Sequence, residues 1–128
     1  MIVKKVKNPK KSASKAVRVG KLADYIISPE LENSNEKCTY VGARGFICDD
    51  YPSQKAEMLA LSQEAVRSKD TINHYVLSWR EGEQPSMEQV EQAVSIFMEE
   101  LGVKGHQTIY GLHTDTDNVH LHIAINRV

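Results

Sequence analysis

Cysteine is nearly absent from this chain: Cys38 and Cys48 are the two among 128 residues, and they form no CxxC pair. A disulfide scaffold and a thiolate-bound zinc knuckle are thereby excluded. No secretory-type leader precedes the thiols, which read as reduced in a cytoplasmic setting. Long apolar runs are missing too. None approaches the ~20 residues of a membrane-spanning helix, so no membrane insertion is expected. Negative charge is absent from the first 21 residues, where Lys4, Lys5, Lys7, Lys10, Lys11, Lys15, Arg18 and Lys21 meet no acid.

All seventeen acidic residues lie beyond this arm, and the net charge is −1. A basic arm on an otherwise acidic body points to a polyanion contact, with Lys10, Lys11 and Lys15 as candidate phosphate contacts. A solvated leader fits the composition as well. At 41% hydrophobic content, 128 residues make one domain that buries a core without staples.

Periodicity divides the chain into helices and strands. Residues 1–6 alternate apolar and basic as an opening strand, and Asn8 to Ser14 break it. Residues 17–27 read as a helix ended by Pro29, and 31–37 as a polar loop. Residues 38–48 read as an interrupted strand or hairpin. Residues 52–69 predict a helix with Met58, Leu59, Leu61, Ala65 and Val66 on its apolar face, and 71–80 a strand. Ser86, with Gln89 three residues on, opens a further helix that Gly102 stops. Residues 107–113 and 119–127 are strands joined by an acidic turn. The expected class is α+β, a central antiparallel sheet with helices covering one face.

Three of the five histidines fall in the last sixteen residues. His120 and His122 alternate along a strand and share a face. His113 precedes a turn that can fold it back beside them. Converging imidazoles with open positions suit manganese, zinc, nickel or copper better than magnesium, and Asp115 or Asp117 can accept the other ring N–H of a ligand. Single histidines are commonly ordinary strand residues; three within ten residues favour a metal site. Tyr25 is one of five tyrosines and, on an amphipathic helix, is by default a packed aromatic. Beside a cation its phenolate becomes accessible as a nucleophile. In residues 74–80, His74, Val76, Ser78 and Arg80 share one face, and Tyr75, Leu77 and Trp79 the core side. Ser78 and Arg80 can donate to phosphates, although a plain solvent-facing strand fits equally.

Taken in order, Lys21-Leu-Ala-Asp-Tyr25-Ile, Leu77-Ser78-Trp79-Arg80-Glu-Gly82 and His113-Thr-Asp115 through His120-Leu-His122-Ile-Ala-Ile-Asn126 resemble the three motifs of conjugative relaxases. These are mobilisation nucleases of the HUH endonuclease superfamily, and the P-type mobilisation relaxases are the most similar. The resemblance implies a palm-like fold and a metal-dependent, site-specific endonuclease that nicks single-stranded DNA at an origin of transfer. It implies that Tyr25 forms a 5′-phosphotyrosyl intermediate and that His113, His120 and His122 hold Mg2+ or Mn2+. Asp115 would support a histidine, and Ser78 would contact the DNA. Accessory DNA-binding proteins of the relaxosome and a coupling protein are the implied partners. Relaxase domains usually extend well past the third motif, so residues 1–128 are expected to be the N-terminal portion of one. A rolling-circle replication initiator is the nearest alternative, but it usually places its tyrosine after the histidine pair, and none follows His122 here. A small metal enzyme acting on small molecules and a non-catalytic nucleic-acid-binding module are the alternatives of other classes.

Overall fold

The strand carrying the histidine pair is buried over most of its length. A computed structural model describes residues 2–7, 14–32, 36–67, 70–115 and 118–128, with the backbone alone at 31, 32 and 115. The elements are β1 (Ile2–Val6), α1 (Lys15–Ile27), a 3-10 turn (Pro29–Glu32), β2 (Lys37–Arg44), α2 (Tyr51–Glu64), β3 (Ile72–Ser78), α3 (Met87–Leu101), β4 (Thr108–Asp115) and β5 (Asn118–Asn126). The strands form one antiparallel sheet in the order β1-β3-β5-β4-β2. The α+β class holds. Lys10 and Lys11, most of the expected break between β1 and α1, and Asp117 lie outside the described residues.

Helices cover both faces of the sheet, not one. β5 sends Val119, Leu121, Ile123 and Ile125 into a core with Val90, Val94 and Met98 of α3. Its other face carries Ala124 into a second core with Val19, Ala23 and Ile26 of α1 and Met58 of α2. A central strand flanked on both edges has no solvated side, so both of its side-chain rows need cover. β1 is an edge strand with Ile2 72% exposed, and its lysines Lys4 and Lys5 discourage further strand pairing.

Local chemistry sets the helix ends. Ser14 and Asp50 cap α1 and α2, each accepting from a backbone N–H three residues on. The Ser86–Gln89 capping box forms, and Gly102 closes α3 at φ 70°. α2 ends at Glu64, short of the expected Lys69, and Val66 is 85% exposed. Its buried residues are Met58 and Ser62, one turn apart, rather than an apolar line reaching Val66. The Lys15 ammonium then occupies the carbonyls of Ser62 and Ala65 at 3.0 and 2.7 Å, satisfying the end of the helix.

Of the interrupted strand or hairpin expected over residues 38–48, a single strand forms, β2, and it ends before Gly45 at φ 80°. A bulge between Cys38 and Tyr40 sets Cys38 opposite His113 and Tyr40 opposite Leu112. The extra residue places Cys38 and Tyr40 on opposite faces although they are two apart.

Candidate active site and metal centre

The face toward α1 and α2 collects the chemistry. Sheet register puts His113 opposite His120 and Gly111 opposite His122. On the other side of β5, Val76 lies opposite His122 and Ser78 opposite His120. His113, His120 and His122 therefore do share one face, as alternation and the hairpin require.

α1 lies over them because Gly111 has no side chain. A Cβ at Gly111 would stand 2.3 Å from the carbonyl oxygen of Ile26. With that space free, Nε2 of His113 donates to the same carbonyl at 2.8 Å. Asp24 faces away toward α2, where it accepts from Tyr51 at 2.5 Å and pairs with Lys55 at 2.9 Å. Tyr25, the next residue, is turned over the histidines. Its ring meets those of His113 and His122 edge-on, with centroids 5.2 and 5.4 Å away.

One carboxylate oxygen is the focus of the site. Oε2 of Glu36 lies 2.9 Å from Nδ1 of His113, 3.6 Å from Nε2 of His122 and 3.3 Å from the Tyr25 hydroxyl, which donates to it. Glu36, His113 and His122 converge as a possible set of metal ligands. The donor chemistry fits a cation. The Ile26 carbonyl only accepts, so the His113 hydrogen it receives is on Nε2, and a neutral ring then turns the bare Nδ1 toward a carboxylate oxygen. Two lone pairs face each other unless a proton or a cation lies between them. Two nitrogens and one oxygen are a suitable donor set for manganese or zinc and leave positions open.

Burial first, and then the neighbouring His113, push His74 down to about 4. Burial, with His113, His74 and His120 after it, pushes His122 down to about 3. Both rings are neutral near pH 7, the state that binds metal. Tyr25 moves the other way: burial and then the Glu36 charge and hydrogen bond raise its phenol above the ordinary value. Next to the bare carboxylate, the phenol keeps its proton.

His120 stands outside the converging group, its Nδ1 2.8 Å from the Ser78 hydroxyl, which leaves Nε2 for another partner. Ser78 thus touches a histidine of the site. Arg80 is exposed beyond the end of β3, its carbonyl accepting from Glu83 N–H at 3.0 Å. Lys15 is held at the end of α2, and the Asp115 side chain lies outside the described residues. Sequence reasoning missed Glu36, placing it in a polar loop with no motif. Only the pairing of β2 with β4 brings it to His113. It also passed over His74, whose Nε2 lies 2.9 Å from Nδ1 of His122. Its place on the polar face with Ser78 was the available signal.

A family model described as "Relaxase: MobA/VirD2-like, nuclease domain" matches residues 25–128. The chain is 87% identical over 71 residues to Protein MobA of Acidithiobacillus ferrooxidans, covering 56% of this chain. It is 34% identical over 129 aligned positions to Protein TraI of Escherichia coli, covering 100% of this chain, and 32% identical to another TraI of that species. The chain spans 17% of the length of each of these relatives. No solved structure matches. Among the described residues, no helix is long and apolar enough to cross a membrane.

Proposed function

The chain belongs to the MobA/VirD2-like relaxase nuclease family, and from that membership we propose that it nicks and rejoins single-stranded DNA at an origin of transfer with Tyr25 as the nucleophile. The observation carrying this reading is the carboxylate oxygen of Glu36 shared between the Tyr25 hydroxyl at 3.3 Å and Nδ1 of His113 at 2.9 Å. A phenol that stands against metal-type donors has a phosphate within common reach of both.

Tyr25 Oη bonds to the phosphorus, and the bond from phosphorus to the 3′ oxygen breaks. The proton lost by the phenol balances the one taken up by the departing 3′ hydroxyl. The 5′-phosphotyrosyl ester keeps the energy of the original linkage, so the reverse attack rejoins the strand. Glu36, His113 and His122 would hold the cation, Mg2+ or Mn2+, with Nε2 of His120 as a further ligand. When bound, it supplies charge to offset that gathering on the phosphoryl oxygens, and it favours the Tyr25 phenolate. The Ile26–His113 bond and the Asp24–Lys55 pair hold the phenol in place before DNA arrives. Asp115 supports a histidine, while Arg80, Lys10 and Lys11 follow the DNA backbone. Relaxosome accessory proteins and a coupling protein are the partners of the longer protein in this reading.

The test incubates the chain with a single-stranded oligonucleotide spanning its element's origin of transfer, in Mg2+ or Mn2+. A covalent adduct that survives denaturation is expected with the native chain and is absent from Tyr25→Phe. An adduct persisting in that variant reassigns the nucleophile. Binding without any cleavage by the native chain favours the non-catalytic module.

A further inference from the structure

β3 lies beside the histidines of β5 and offers a partner to each of the two. Ser78 meets Nδ1 of His120 at 2.8 Å, and His74, four residues earlier on the same face, meets Nδ1 of His122 at 2.9 Å. A hydroxyl can donate or accept, so Ser78 does not by itself dictate where the His120 proton resides. His74 is more restrictive. Two neutral imidazole nitrogens at hydrogen-bond distance share a single hydrogen, and only one of them can carry it.

The opposite side of His122 decides which. Its Nε2 faces the Glu36 carboxylate at 3.6 Å, in the group that also holds Nδ1 of His113. For Nε2 to offer a lone pair to a cation there, the His122 hydrogen must be on Nδ1. His74 must then receive it through a bare Nε2 and keep its own hydrogen on Nδ1. We propose that His74 is a positioning residue that accepts the Nδ1–H of His122 and so holds the Nε2 lone pair of that ring toward the metal position.

This inference rests on the metal-site reading of Glu36, His113 and His122. The partners beyond a ligating histidine are more often a carboxylate, a carbonyl or water. An imidazole in that role orients the ring without adding negative charge. With Glu36 contributing one negative charge, a divalent cation would keep an excess of positive charge for the incoming phosphodiester. A carboxylate at residue 74 would cancel it. The His74 and His122 rings are tilted by 34° with centroids 5.2 Å apart, so the contact runs through the nitrogens rather than through stacked faces.

The experiment measures nitrogen chemical shifts of the His122 ring in the native chain with diamagnetic Mg2+ bound near neutral pH, then titrates Mn2+ calorimetrically into the native chain, His74→Phe and His74→Gln. The expected tautomer of native His122 has its hydrogen on Nδ1. His74→Phe, which keeps a ring but has no acceptor, should lose that preference and weaken Mn2+ binding by roughly 10- to 100-fold. His74→Gln, whose amide oxygen can accept the same hydrogen, should bind within a few-fold of native. A native His122 carrying its hydrogen on Nε2 overturns the proposal, and that measurement needs no variant to fold. So does native-strength Mn2+ binding by His74→Phe. A His113→Ala/His122→Ala double variant separates the two readings. If it loses binding while His74→Phe does not, only the role of His74 fails. If it binds Mn2+ as tightly as native, the metal site itself is wrong.

Discussion

Nε2 of His113 donates to the backbone carbonyl of Ile26 at 2.8 Å, tying the last turn of α1 to β4 one residue after Tyr25. The bond sets two things at once. It keeps the His113 hydrogen on Nε2, so Nδ1 faces Glu36, and it settles how far the phenol of Tyr25 stands from that pair. The approach depends on the empty volume at Gly111, since a Cβ there would collide with the same carbonyl.

Gly111→Ala is accordingly expected to push α1 off the sheet. Inserting one methyl against backbone that cannot rotate away should cost about 1–3 kcal/mol, read from the urea midpoint. The His113 ring N–H signal should shift as its carbonyl partner withdraws. An unchanged midpoint and an unchanged ring signal would refute the close approach.

Glu36→Gln should affect two properties in opposite directions. Losing an anionic donor should weaken Mn2+ binding by at least the roughly 10- to 100-fold typical of losing even an outer partner of a ligand. In the metal-free chain, the phenol of Tyr25 should ionise at lower pH than in the native chain, because the Glu36 charge and hydrogen bond that help burial hold its proton are removed. Ultraviolet difference titration against Tyr25→Phe isolates that phenol. Equal Mn2+ affinity in both proteins would remove Glu36 from the ligand set.

Acid should weaken the α3 face through Glu91. Burial acts to raise this carboxyl, but hydrogen bonds from Tyr110, Tyr40 and Arg44 and the charge of Arg44 outweigh it, and the group is held below its ordinary 4.5. The unfolded chain therefore takes up the proton first. The stabilisation is complete above pH 4.5 and is lost as pH falls through the lower folded value. The gap in urea midpoint between the native chain and Glu91→Gln should be widest near neutral pH and narrow as pH falls below 4.5. A gap independent of pH would mean that the carboxylate charge contributes nothing.

The lysines of the basic arm should separate into two behaviours. Lys15 donates to the carbonyls of Ser62 and Ala65, so Lys15→Met should cost stability, about 1.5–3 kcal/mol for a charge-assisted bond of this kind. Neutralising Lys10 and Lys11 should leave the urea midpoint alone and flatten the salt dependence of oligonucleotide binding, by about 0.7 in the log–log slope for each phosphate no longer neutralised. Should Lys15→Met change only the salt slope, the capping role at α2 is mistaken.

Much of this molecule was legible in the order of its residues. Alternation in residues 119–127 placed His120 and His122 on one face, and the Ser86–Gln89 pattern and Gly102 marked both ends of α3. Both signals are local, because a strand repeats every two residues and caps act within one turn. The same reasoning overran α2, where Val66 fits the apolar spacing but is 85% exposed. It also assigned the helices to one face, since periodicity does not reveal that β5 is central and needs cover on both sides.

The chain itself therefore determined which residues carry chemistry and on which side of their own strand each one lies. Tertiary structure decided which of them meet. Glu36 reaches His113 across 77 residues of sequence and His74 reaches His122 across 48, and no local pattern encodes either distance. Those meetings follow from strand register, from the bulge in β2 and from the docking of α1 over Gly111. All three are long-range packing outcomes, settled only when the whole sheet closes against its helices.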